Sequence, residues 1–385
     1  MIKIAFVHWN GLAAGGTEQF LQTVAANLPQ DRFKVDFYYA GCAAQHRKQY
    51  MLEHGVNLIE FHFRNRVEKG RYTYFSDCDF DKVFTGDYDL VQAGRYGSAE
   101  SFFECIRKIP IIDSVHYVSG VDNQCNISRV MHISEFSRNM WIRKGGDAGR
   151  VVMISLPVRI PEFNFTDIRA QLGLEQERFL FGFHQADRDS IFSDIPLRAY
   201  KEVENSRNAF VICNGSKKYR RQAKELGLKN VYFYDYIADN HLFYSIIKSF
   251  DVYAHGRRDG ELNSAAIAEA MSFGLPVITH PSAAFNGHLE VIGDNGFIAR
   301  DYQEYAQYME ILQRNEALRK RCGSLSRAFF ERHYDFDDQM KHITKIYEDV
   351  LKNPYPNPVR RIVLGSVQTM ENRVKRFVFK KIYTK

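Results

Sequence analysis

No Cys-x-x-Cys pair occurs in the sequence; its six cysteines, at 42, 78, 105, 125, 213 and 322, stand apart. A disulfide framework and a structural zinc cluster are thereby disfavoured, and reduced thiols in a cytoplasmic setting are the expectation. No run approaches the roughly 18–20 apolar residues that span a bilayer. The opening MIKIAFVHWNG has neither a long apolar signal core nor a cleavage site, and reads as a buried first strand. Gly-x-Ser-x-Gly is absent, so a nucleophile elbow leaves no trace. The 13 histidines are scattered with no H-x(3)-H pair, and neither a metal site nor a cofactor is expected. What is present is ordinary globular composition, 45% hydrophobic and 25% charged over 385 residues, enough for two domains.

Charge is concentrated at one end. Residues 354–385 hold eight basic side chains and one acid, Glu371, against a whole-chain excess of +6, so residues 1–353 are nearly neutral. A protein tracking a nucleic-acid backbone more often spreads its basic residues over a folded surface, and no nucleic-acid partner is expected. Beyond the prolines at 354, 356 and 358, Val363, Val367, Met370, Val374 and Phe377 recur at spacings of four and three, one apolar stripe of a helix. Arg361, Asn372, Lys375, Arg376 and Lys380 fall on the other side. A cationic amphipathic helix on a Pro-rich hinge fits an anionic membrane surface; the alternative is a last helix docked on the body by its apolar stripe.

Between these ends short apolar runs alternate with helical patterns. Strand-like runs occur at 2–9, 34–40, 57–63, 89–93, 111–117, 129–134 and 151–157, then at 179–183, 209–213, 231–236, 251–254, 276–279 and 296–299. Alternating β and α signals predict parallel sheets covered on both faces. The proline-bearing, non-periodic stretch 157–177 breaks the rhythm and is the predicted linker. The expected fold is α/β: two doubly wound Rossmann-like domains, 1–157 and 158–335, facing a cleft. A crossing-back helix at 336–353 and the basic tail 354–385 follow.

Two segments carry candidate chemistry. Between the first strand and first helix lies Gly11-Leu-Ala-Ala-Gly15-Gly16-Thr17-Glu18, where glycines admit a ligand close to the backbone and a helix start offers N–H groups to an anion. The second segment is 251–278, DVYAHGRRDGELNSAAIAEAMSFGLPVI, read as a strand, a Gly-rich loop and a helix opening near Glu261. Glu261 and Glu269 are eight residues apart, about 12 Å along a helix axis if both lie in it. Carboxylates accept paired hydrogen bonds from sugar diols, and the amides of 262–264 could hold a diphosphate between them. The helix is otherwise Ala, Ile and Met, so its glutamates need partners.

The segment 251–300 resembles the donor-binding half of retaining GT-B glycosyltransferases, specifically glycosyltransferase family four. There E-x(7)-E leads into E-A-M-x-x-G-x-P-V-I, matched here by Glu261, Glu269, Ala270, Met271, Gly274, Pro276, Val277 and Ile278. The resemblance extends to Glu290, to Asn295-Gly296 and to the Gly15-Gly16-Thr17-Glu18 loop. It implies a hexosyltransferase, retaining and metal-independent, acting on a nucleotide diphosphate sugar and a glycan or lipid-linked acceptor in cell-surface polysaccharide synthesis. Glu269 would hold the ribose, Glu261 the transferred hexose, and Asn263 and Ser264 the diphosphate through their backbone. Glu290 would lie on the donor side, His116 near the sugar, and Gly15 and Gly16 against the leaving diphosphate or the acceptor. The family's Arg and Lys for the diphosphate are only partly matched: Arg188 stands for the first, while Arg198, Lys217 and Lys218 are all open for the second. A degenerate GT-B domain that binds without turnover, a phosphorylase and a sugar-nucleotide epimerase are the rival readings.

Overall fold

The computed structural model describes residues 1–13, 15–41, 43–354 and 358–383. The chain divides into two compact units, Met1–Pro157 with Asp337–Lys385, and Val158–Phe336.

The strands of the first unit are β1 (Ile2–His8), β2 (Phe33–Tyr39), β3 (Asn57–Glu60), β4 (Asn65–Lys69), β5 (Tyr72–Ser76), β6 (Leu90–Gly94), β7 (Ala99–Glu100), β8 (Ile111–Val115), β9 (Ile127–His132) and β10 (Val151–Met153). Its first helices are α1 (Gly16–Asn27), α2 (Gln45–Glu53), α3 (Phe80–Val83) and α4 (Glu135–Arg143). Seven strands form one sheet in the order β10-β9-β8-β6-β1-β2-β3, every pair parallel. The near-continuous apolar run of β1 suits its central place, with Ile4 to Val7 sealed from solvent. The alternation read from sequence passes over 64–88, where β4 and β5 form an antiparallel hairpin joined by β7 into a separate small sheet. The charged, exposed NRVEK of β4 gives no buried-strand signal, which is why it escapes a search for apolar runs.

The second unit contains β11 (Phe179–His184), β12 (Asn208–Cys213), β13 (Val231–Tyr234), β14 (Val252–Ala254), β15 (Gly260–Glu261), β16 (Val277–Thr279), β17 (Phe285–Asn286) and β18 (Gly296–Ile298). Around them lie α5 (Ile195–Val203), α6 (Lys217–Glu225), α7 (Asn240–Lys248), α8 (Ala265–Ser272), α9 (Tyr302–Arg314) and α10 (Glu316–His333). Six strands make a parallel sheet in the order β13-β12-β11-β14-β16-β18. The predicted linker 157–177 is shorter than expected, because its second part packs into this unit. Ile168 is fully buried, Thr166 donates its N–H to Ser245 Oγ at 3.1 Å, and Arg169 pairs with Asp251 at 2.7 Å. Charged residues there satisfy fixed partners instead of solvent, a pattern that reads locally as loop.

Two helices complete the first unit: α11 (Phe336–Lys352) and α12 (Pro358–Tyr383). In α11, Ile343, Tyr347 and Val350 are fully buried, and Tyr347 meets Phe33 edge-on at 6.4 Å. In α12 Phe379 is buried on Tyr72, Tyr74 and Ala99. Its stripe at Val363, Val367, Met370, Val374 and Phe377 is exposed. The docked alternative read from the sequence therefore fails in one respect: the helix docks, but not by that stripe. Of the tail 354–385, residues 355–357 and 384–385 lie outside the described residues.

Candidate functional site

In a parallel sheet of this kind ligands collect at the carboxyl ends of the strands, where the strand order reverses. In the second unit that point is between β11 and β14, and each of these strands delivers a histidine: His184 ends β11, and His255 follows β14. Both are buried, and each meets one of the two glutamates singled out in the sequence. His184 Nε2 lies 2.7 Å from Glu269 Oε2, and the Tyr244 hydroxyl of α7 donates to Glu269 Oε1 at 3.3 Å. His255 Nε2 lies 3.5 Å from Glu261 Oε1, with Arg257 Nη1 at 3.4 Å from the same oxygen.

Glu261 is not on the helix. It forms β15, paired with Asn286 of β17, while α8 begins only at Ala265. The helical separation expected for the two glutamates is thus corrected: one sits on a strand-like loop edge and the other within α8. The cause is Gly260, whose φ of +66° is a backbone state open to glycine and where a Cβ would collide with the Phe285 carbonyl. The turn it makes delays the helix by one turn. Burial works against a charge on Glu261, but the hydrogen bond with His255 and the charge of Arg257 outweigh it and hold its carboxyl at about 2. Burial pushes His255 down to about 4, so it is neutral at pH 7, giving Nε2–H to Glu261 while Thr279 Oγ1 lies 2.8 Å from Nδ1.

Ser264 caps α8 by accepting from the N–H of Ile267 at 3.2 Å, which leaves the amides of Ala265 and Ala266 at the helix start. Its own N–H donates to Asn263 Oδ1 at 2.7 Å, and that oxygen also accepts from the Tyr334 hydroxyl at 3.0 Å. The Ser264 amide, assigned to a diphosphate from the sequence, is already engaged. Glu290 is exposed in a short 3₁₀ turn at Gly287–Val291. Burial first, then the charges of Glu261 and Glu290, raise the Tyr334 phenol, so Tyr334 lies within electrostatic reach of both. Arg188 is exposed after β11, with no ion pair among the described residues. Of the candidates for a second cation, Arg198 is paired with Asp194 at 3.1 Å, whereas Lys218 Nζ reaches the carbonyl of Asp189, next to Arg188, at 3.2 Å. Lys217 is exposed at the start of α6.

In the first unit the order reverses at β1, between β2 and β6. His8, the last residue of β1, places Nδ1 2.7 Å from the Gly94 carbonyl and Nε2 3.2 Å from Glu18 Oε1, and Asn10 donates to the same carboxylate. Burial disfavours the Glu18 charge, yet the bonds with His8 and Asn10 hold it down at about 2. Gly15 precedes α1 with no side-chain cap, and a Cβ there would collide with the Glu18 carboxylate; a Cβ on Gly16 would meet nothing within 4 Å. His116 follows β8, its ring centroid 4.6 Å from that of Phe20. Its Nε2 is buried with no hydrogen-bond partner in the structure, and burial pushes the imidazole down to about 3.

His8, His184 and His255 were missed by sequence reasoning. The signal was there: each ends a short apolar run, Phe-Val-His8, Gly-Phe-His184 and Tyr-Ala-His255, the same placement that singled out His116. Among the described residues no three His, Cys, Asp or Glu side chains are grouped to hold a metal ion.

Residues 165–329 match the family model described as glycosyl transferases group 1. Among solved structures, the chain is similar to HepE of Anabaena in complex with UDP and glucose, 20% identical over 90% of this chain and 100% of that chain, with a TM-score of 0.71. A glycosyltransferase of Rickettsia africae is 14% identical over 91% and 99% of the two chains, with a TM-score of 0.75. WaaG, a glycosyltransferase involved in lipopolysaccharide biosynthesis, is 13% identical over 89% and 99%, with a TM-score of 0.66. No curated protein matches the sequence. The resemblance to group 1 glycosyltransferases stands, and the fold is the two-domain GT-B fold.

Proposed function

We propose, from the group 1 glycosyl transferase match over residues 165–329, that the protein transfers a hexose from a nucleotide diphosphate sugar to a glycan or lipid-linked acceptor. We read the transfer as retaining and metal-independent, serving cell-surface polysaccharide synthesis at the cytoplasmic face of a membrane. One observation carries the reading: two glutamates, each anchored by a strand-end histidine, stand at the point where the sheet of the second unit reverses its order. HepE, crystallised with UDP and glucose, and WaaG, involved in lipopolysaccharide biosynthesis, agree with this substrate class.

Residues of the second unit then divide the tasks. Every oxygen of Glu269 has a lone pair beyond the bond to His184 or Tyr244, enough for the two hydroxyls of a ribose. Glu261, ionised, accepts from hydroxyls of the hexose. The amides opening α8 and the side chains of Arg188 and Lys218 offset charge growing on the diphosphate as the bond from the anomeric carbon to its oxygen breaks. The acceptor hydroxyl adds to that carbon from the same face and passes its proton to the departing phosphate, which preserves configuration without a carboxylate base. His116, neutral and with its Nε2 enclosed in the first unit, is left without a hydrogen-bonding task in this scheme. The test is incubation with a panel of nucleotide sugars, following released nucleoside diphosphate and the anomeric configuration of the product by NMR. A nucleotide sugar that binds without nucleotide release would overturn the reading in favour of a binding protein, and a donor returned as its epimer would favour an epimerase.

A further inference from the structure

The structure describes fifteen exposed large hydrophobic residues, and eight of them lie on α12. Six of these, Val363, Val367, Met370, Val374, Phe377 and Val378, fall within an arc of about 100° at 100° per residue and run for about 22 Å along the axis. The opposite side of the helix, centred about 180° away, is the side that packs. There a Cβ on Gly365 would collide with Cys125, Asn372 is buried, and Phe379 stacks on Tyr74 at 5.8 Å. Arg376 bonds Glu104 at 2.9 Å from the edge of that packed side. A terminal helix that served only to close the body would turn its apolar stripe inward; this one is fixed with the stripe outward.

We infer that the outward face of α12 lies in the headgroup layer of an anionic bilayer, with the helix acting as a fixed foot of the first unit. This deepens the membrane-face reading above and rests on it for the setting, but not on the transfer chemistry. Charge chooses the occupant. Arg373 stands on one flank of the stripe, Lys381 lies within it over the Phe377 ring at 4.5 Å, and the helix's one acid, Glu371, faces Lys375 at 3.7 Å. Two copies joined along this seam would bring like charges together, with Lys381 in the seam itself. A surface of anionic headgroups over acyl chains accepts both the cations and the stripe. No helix among the described residues is long and apolar enough to cross a membrane, so the contact is interfacial.

The experiment uses the full chain and vesicles of phosphatidylcholine with or without phosphatidylglycerol. The expected result is cosedimentation with the anionic vesicles alone, weakened at least tenfold by combined Val374→Glu and Phe377→Glu. The melting temperature and nucleotide release with a soluble acceptor are expected to be unchanged. Binding that is absent, or equal in the variant, overturns the inference while leaving the transferase reading to its own assay. A dimer in sedimentation velocity that the same variant dissolves, without vesicle binding, assigns the stripe to a second copy and also overturns it. For the fixed foot, brominated lipids should quench the tryptophan of Phe377→Trp but not that of Phe379→Trp; equal quenching means the helix has left the body and the foot is wrong.

Discussion

Glu269 and His116 represent two opposite ways of keeping a polar side chain inside a protein. Glu269 is held by named donors, His184 and Tyr244, on both its oxygens, so its orientation is set before any ligand arrives. Removing it with Glu269→Ala should weaken nucleotide-sugar binding roughly 10- to 100-fold, since hydrogen bonds to charged groups contribute about 1.5–3 kcal/mol. Isothermal titration calorimetry with the donor checks this, and unchanged affinity would remove Glu269 from the site. His116 instead has its Nε2 buried without a partner, and burial holds its pKa at about 3. The unfolded imidazole titrates near 6.5, so as pH falls below that value the unfolded state takes up a proton that the native state refuses. The stability contributed by neutral His116 is therefore full above about 6.5 and declines from there toward 3. In thermal melts at stepped pH, His116→Asn should show a shallower loss between pH 6.5 and 4 than the parent chain, whatever its offset at pH 7. The type and position of these residues were legible, because a histidine closing an apolar run sits at the carboxyl end of a strand. Their partners were not: the His184–Glu269 contact joins residues 85 apart in sequence, and no local pattern encodes it.

At the scale of elements, strands were the most readable feature, since a central parallel strand must be apolar on both faces and the run in β1 or β11 admits no other use. The sequence opens the helix near Glu261, whereas the backbone turns at Gly260 and α8 starts only at Ala265, behind its Ser264 cap. That turn sets where Glu261 points. Gly260→Ala should therefore act twice: it places a Cβ against the Phe285 carbonyl and forces a non-glycine residue to φ of +66°. A loss of at least about 1–2 kcal/mol is expected from the backbone conformation alone, together with a fall in transfer rate larger than the fall in ribose-side nucleotide affinity. Urea denaturation and donor titration measure the two effects separately. The facing of α12 was hidden for a related reason: an apolar stripe identifies a face that wants to leave water, but cannot say whether protein or lipid receives it. Gly365, Asn372 and Phe379, which make the packing, recur every seven residues, but a glycine and an amide among the three leave that repeat without an apolar signal.

For the whole molecule, the path of the chain matters more than either unit's sheet. Val158–Phe336 is continuous, whereas the first unit is assembled from Met1–Pro157 and a return segment beginning at Asp337. That return is not ornamental: in α11, Met340, Ile343, Ile346, Tyr347 and Val350 are all buried, Arg32 pairs with Glu348, and the Ser155 N–H donates to Gln339. Five buried apolar side chains at about 1.5–3 kcal/mol each amount to roughly 10 kcal/mol, which is as large as the usual net stability of a domain, about 5–15 kcal/mol. Residues 1–157 expressed alone should therefore fail to give a cooperative melt by circular dichroism. Residues 158–336 alone should melt cooperatively and still bind the nucleotide part of the donor, since Glu269, His184 and Tyr244 all lie within that fragment. Mixing 1–157 with a separately made 337–385 should restore folding to the first. A cooperative transition in 1–157 by itself would show that α11 rests on a core already complete, and the return of the chain would then have to be explained by what α12 does.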